Sequence, residues 1–100
     1  AQRRLATRPA LSVMITQVSR TARVPPRALM APRSDRGGWA RAAAMYLGWQ
    51  VCGVSQPELG RAFGVTRYGV SKAIARIERA LRTDRQLRRR IAAIKSTFQT

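Results

Sequence analysis

One hundred residues with 45% hydrophobic side chains make one small domain, and 20 Lys plus Arg against 4 Asp plus Glu give it a formal net charge of +16. There is no histidine and a single cysteine, which excludes histidine-based acid–base chemistry, histidine-ligated metal and an intrachain disulfide. No stretch approaches the ~20 apolar residues of a membrane span, so no membrane partner is expected and a reducing, cytoplasmic setting is the natural reading.

Arginine dominates the basic excess, since only Lys72 and Lys95 are lysines. The guanidinium is a planar fork of donors that matches phosphate oxygens and guanine edges. A charge this large also repels itself until a polyanion relieves it. Nucleic acid is the expected partner.

Residues 1–8, AQRRLATR, have no apolar period and read as a flexible basic arm before a helical domain over 9–100. From Pro9, suited to a first helical turn, Leu11, Met14, Ile15, Val18 and Ala22 recur at helical spacing. This helix should end before Val24-Pro25-Pro26, because Pro25 pushes the preceding residue out of the helical region. A short helical turn around Arg27 to Met30 follows. The next segment, APRSDRGG over 31–38, joins Pro, Ser, Asp and paired Gly with Arg33 and Arg36, and reads as a basic loop.

Trp39 opens a second strong helix, WARAAAMYLGWQVC, with Trp39, Ala43, Tyr46, Leu47 and Val51 as its expected buried stripe and Gly53 as its stop. Trp49 lies off that stripe. Ser55-Gln56-Pro57-Glu58 matches a capping box, in which the Ser55 hydroxyl caps the helix and Glu58 reaches back to the Ser55 amide. That helix is short and ends near Phe63-Gly64. Thr66 caps a long one, with Val70, Ala73, Ile74, Ile77 and Leu81 facing inward. Thr83-x-x-Gln86 repeats the capping pattern, and Leu87, Ile91, Ile94 and Phe98 line a last helix. No strand pattern is present, so the expectation is an all-α fold of five or six helices.

The short and long helices, about residues 56–82, match a helix-turn-helix, whose second helix lies in the DNA major groove. Leu59, Ala62 and Phe63 hold the first down, and small Ala62 and Gly64 permit a close crossing. The outward stripe of the second is then Tyr68, Ser71, Lys72, Ala75 and Arg79. Its N-terminal half supplies the candidate base readers Arg67, Tyr68, Ser71 and Lys72, while Arg76 and Arg79 lie further along and suit phosphate. Gly69 costs a helix interior ~1 kcal/mol relative to Ala. Either the helix starts later than Arg67, or a backbone or DNA approaches there.

A longer stretch, RAAAMYLGWQVCGVSQPELGRAFG over 41–64, resembles the C-terminal DNA-binding domain of the bacterial replication initiator DnaA family, a Trp-repressor-like helical fold. The resemblance rests on Arg41, on Ala44-Met45-Tyr46-Leu47, on the capping segment Ser55 to Gly60, and on Phe63-Gly64. It implies a minor-groove arginine in the loop before the long helix, here Arg33 or Arg36. It also implies phosphate contacts through backbone amides at the start of the capped helix, on Ser55 and Gln56, where free N–H groups and the helix dipole favour an anion. The family's base-reading signature GRDHSTV has no counterpart: Val65-Thr66-Arg67-Tyr68-Gly69-Val70 follows Phe63-Gly64 instead. The expectation is double-stranded DNA binding at a different target, as the domain of a bacterial or phage transcription regulator on the nucleoid.

Rival readings are an origin-binding replication protein, a sigma-like module that docks on RNA polymerase or another regulatory protein, and a transposase targeting domain. No enzymatic activity and no cofactor are expected, because Glu58, Glu78 and Asp84 have structural uses and Cys52 has no base beside it. Cys52 reads as a buried small apolar residue. Arg88-Arg89-Arg90 is either a solvated face, a second phosphate contact, or a seat for an acidic protein.

Overall fold

Helix α1, Leu11–Ala22, is the first element of a computed structural model that describes residues 8–30 and 39–98. It buries Met14, Ile15 and Val18, as its period predicts. It begins after Pro9, with the Ala10 carbonyl accepting the amides of Val13 and Met14, and no side chain marks that start. Its other end closes ahead of the prolines: Arg23 takes a left-handed φ of 60°, and the Val24 amide donates to the Ser19 carbonyl at 3.1 Å. That six-to-one bond satisfies a carbonyl the helix would otherwise leave open. Helix α2, Pro26–Met30, follows and buries Leu29. The arm over 1–7 and the basic loop over 31–38, with Arg33 and Arg36, lie outside the described residues.

Helix α3, Trp39–Gln50, departs from the expected stripe. Ala40, Ala42, Ala44, Met45 and Gly48 are buried alongside Ala43, Tyr46 and Leu47, whereas Trp39 and Val51 are only half-buried. The reason is that α1, α2, α4 and α5 all pack on α3, which leaves it no free face over most of its length. Small residues make this possible. A Cβ on Gly48 would stand 2.7 Å from Leu11 Cδ1 and 3.0 Å from Leu59 Cδ2, so α1 and α4 both close onto that point. The alanines are there for packing as much as for helix propensity.

Three capped helices complete the chain: α4, Gln56–Phe63; α5, Arg67–Thr83; and α6, Arg85–Thr97. Ser55 Oγ accepts the Glu58 amide at 3.3 Å, and Thr66 Oγ1 accepts the Gly69 amide at 3.0 Å. The box at Ser55 closes differently from expectation, because its hydroxyl donates to the Glu58 carboxylate at 3.3 Å. The last cap is Asp84 rather than Thr83: Asp84 Oδ1 accepts the Leu87 amide at 3.0 Å, while Thr83 still belongs to α5. An ionised carboxylate at the N-cap is the stronger acceptor of the two neighbours. Val70, Ile74 and Ile77 from α5 and Leu87, Ile91 and Ile94 from α6 finish one core around Leu47, Leu59 and Phe63. Phe98 follows the end of α6 and packs half-buried on that core. The described residues contain six helices and no strand, an all-α bundle.

Candidate nucleic-acid interface

The turn between α4 and α5 is built on two glycines. Gly64 takes φ 71°, a left-handed conformation that suits glycine at a helix end. Gly60 permits the close approach: the Val65 amide donates to its carbonyl at 2.9 Å, and a Cβ there would stand 2.6 Å from the Val65 oxygen. The expected small residue at this crossing, Ala62, is exposed and takes no part. Leu59 and Phe63 anchor α4 with fully buried side chains.

Arg41, in the first turn of α3, fixes this corner. Its Nε donates to the Leu29 carbonyl at 3.0 Å and its Nη2 to the Phe63 carbonyl at 2.6 Å, at the C-terminal ends of α2 and α4. Its guanidinium also lies 5.9 Å from the centroid of the Phe63 ring. A cation is well placed where helix carbonyls lack partners. Burial pushes its pKa below the ordinary arginine value. The sequence signal for this role was slender: one cation in a run of small and apolar residues.

The four candidate base readers, Arg67, Tyr68, Ser71 and Lys72, are all exposed on the first two turns of α5. Tyr68 is 70% exposed, and the Lys72 ammonium lies 5.4 Å from the centroid of its ring. Arg76 and Arg79, the candidate phosphate contacts, are exposed one and two turns further on. A cleft of about 640 Å³ between α5 and α3 gathers Lys72, Arg76 and Arg79 on its rim, with Met45, Val65 and Ala73 on its walls. Lys72 therefore keeps company with the phosphate candidates, while Arg67, Tyr68 and Ser71 lie outside the cleft. Ala75, expected to point outward, is half-buried and lines the cleft.

Gly69 has a resolved position. It is the third residue of α5, its amide is taken by Thr66, and a Cβ would meet Val65 Cβ at 3.5 Å, an ordinary contact. A late helix start and a close backbone neighbour within the described residues are both ruled out. At the start of α4, Ser55 is exposed and Gln56 half-buried. Pro57 has no amide, the Glu58 amide is taken by Ser55 Oγ, and the Leu59 amide by the Ser55 carbonyl. Of the first-turn amides, that of Gln56 has no partner among the described residues.

The arginine run on α6 divides its labour. Arg88 Nη1 donates to the Leu81 and Arg82 carbonyls at 2.9 and 3.1 Å and so caps the end of α5. Arg90 lies 5.2 Å from the centroid of the half-buried Trp39 ring. Arg89 is exposed. Trp49 is 37% exposed, as its place off the stripe predicts. Cys52 is half-buried rather than buried, its thiol directed at the Ala10 carbonyl at 3.9 Å, and burial raises its pKa.

Among the described residues no group of three or more His, Cys, Asp or Glu side chains is placed to hold a metal ion, and no helix is long and apolar enough to cross a membrane. No family model matches the chain, and no curated protein matches it either.

Proposed function

We propose that the chain is a double-stranded DNA-binding domain of a bacterial or phage transcription regulator, with α4 and α5 acting as a helix-turn-helix. The observation that carries this reading is the exposure of Arg67, Tyr68, Ser71 and Lys72 together on the first turns of a helix that packs against α4, itself anchored by buried Leu59 and Phe63. Side chains at the N-terminal end of a second helix in such a pair reach base edges in the major groove. Lys72 or Arg67 would pair with guanine, and the Tyr68 ring would touch a thymine methyl. Arg76 and Arg79 would neutralise phosphates, and the Gln56 amide would meet another at the α4 terminus. Gly69 fits the same reading, because a residue without Cβ at this point lets a strand come close to α5. The basic loop with Arg33 or Arg36 would supply the minor-groove contact.

Selection from a random duplex library, then titration of the enriched and a scrambled duplex across salt, tests the proposal. An enriched site bound a hundredfold tighter supports a sequence-specific regulator, and an enriched initiator box would move the role to replication. Equal binding of both duplexes would sink sequence-specific recognition, and no binding to either would sink DNA binding itself.

A further inference from the structure

We propose that the cleft beside α5 continues into a path for one sugar–phosphate strand that ends on α6, at the pair Trp39 and Arg90. The inference rests on the DNA-binding reading and extends it to a helix which that reading leaves idle. A second hollow of about 250 Å³ lies between α5 and the starts of α3 and α6. It shares Ala42 and Arg76 with the cleft, so the two form one trough along the side of α5. Trp39 and Arg90 both line the second hollow, with the guanidinium 5.2 Å from the ring centroid.

The lining has the chemistry of a nucleic-acid strand. Lys72, Arg76, Arg79 and Arg90 line the trough as cations, and Ala42, Met45 and Ile77 offer apolar surface to sugar carbons. Asp84 is the one acidic residue among the described residues that line it, and its carboxylate is already engaged by the Leu87 amide. A small anion needs one such cation; a row of them suits a repeating charge. Arg76 and Arg79 stand about one turn apart on α5, roughly 4.5 Å along its axis, so both can reach neighbouring phosphates of one strand. The second hollow branches from the first at Arg76 and leads to Arg90, which meets the next phosphate. The Trp39 ring beneath holds the Arg90 side chain in a fixed orientation, which lowers the entropy lost on contact.

The test uses the full chain with Trp49→Phe, so that Trp39 is the sole tryptophan, and the duplex selected as above. Three results are expected. Trp39 emission changes on adding duplex; Arg90→Gln makes the log–log salt slope shallower by ~0.9, the value for one lost phosphate contact; and selected and scrambled duplexes weaken by the same factor, about threefold to tenfold, with Arg90→Lys recovering most of the loss. If duplex binds but Trp39 emission and the slope of Arg90→Gln stay unchanged, the far end of the trough is idle and the inference fails alone. If the parent chain binds no duplex, the DNA-binding reading fails and takes the inference with it. The emission of Trp39 is read on the Trp49→Phe chain with Arg90 in place, so a poorly folded Arg90 variant cannot decide the matter.

Discussion

The Arg41 guanidinium donates to the Phe63 carbonyl at 2.6 Å, joining the first turn of α3 to the last residue of α4. With its second bond, to Leu29, the same side chain ties down two helix ends. Arg41→Ala should cost about 2–3 kcal/mol, since it removes charge-assisted bonds to partly buried carbonyls. Arg41→Lys should recover less than half, because a single ammonium cannot span the two carbonyls as the fork does. Urea unfolding followed by circular dichroism measures both, and equal stability of all three chains would remove Arg41 from this role.

Gly60 and Gly69 should respond to alanine in opposite directions. At Gly60 the new methyl meets the Val65 carbonyl oxygen at 2.6 Å, a backbone atom that cannot swing aside. Gly60→Ala should destabilise by roughly 2 kcal/mol, in line with overpacking elsewhere. At Gly69 the nearest atom is 3.5 Å away, so Gly69→Ala should stabilise by about 0.5 kcal/mol through helix propensity. If Gly69→Ala stabilises the fold yet weakens duplex binding, the glycine is there for the strand and not for the protein.

On the DNA-binding reading, Lys72→Ala and Arg76→Ala separate base reading from phosphate contact. Lys72→Ala should lower discrimination between selected and scrambled duplex by ~1–3 kcal/mol. Arg76→Ala should weaken both duplexes alike and flatten the salt dependence. Because the cleft groups Lys72 with Arg76 and Arg79, the alternative outcome is specific: if Lys72→Ala behaves like Arg76→Ala, Lys72 belongs to the strand path, and base reading falls to Arg67, Tyr68 and Ser71.

Cys52 and Tyr46 set an alkaline limit. Burial raises the thiol pKa of Cys52. It raises the Tyr46 phenol too, with Glu78 adding to that rise and the Gln50 hydrogen bond opposing it. A group whose pKa is higher in the fold than in the open chain holds its proton more tightly when folded. Its contribution is complete below the open-chain pKa and lost as pH rises through the folded value. Stability should therefore be flat in these groups at neutral pH, then fall from about pH 8.5 for the thiol and about pH 10 for the phenol. Iodoacetamide at pH 8 should modify Cys52 more slowly in the native chain than in urea. Equal rates would mean that the thiol is not shielded.

The helices were legible where a local signal existed. Hydroxyls at Ser55 and Thr66 marked two helix starts, and the proline pair marked the end of α1. The start of α1 has no capping side chain, so Pro9 marks it two residues early. Thr83 and Asp84 are adjacent capping residues, indistinguishable until the end of α5 is known. What the sequence could not display was enclosure. An amphipathic stripe assumes one buried face, whereas α3 is wrapped by four neighbours, so its stripe was drawn too narrow. The candidate site was legible as exposed residues of α5, but its grouping was not. Only the approach of α3 to α5 forms the cleft that groups Lys72 with Arg76 and Arg79.

The enclosure of α3 also decides how the domain can come apart. A peptide cut from Ser55 to Thr83 would keep both caps and the turn glycines, yet Leu59, Phe63, Val70, Ile74 and Ile77 would face water. Such a fragment has no autonomy: the two helices are a surface feature of the whole bundle and cannot be transplanted alone. Amide hydrogens in α4 and α5 should accordingly exchange only when the entire chain opens. On the DNA-binding reading, new preferences would arise through exchange of exposed side chains while the buried core stays the same.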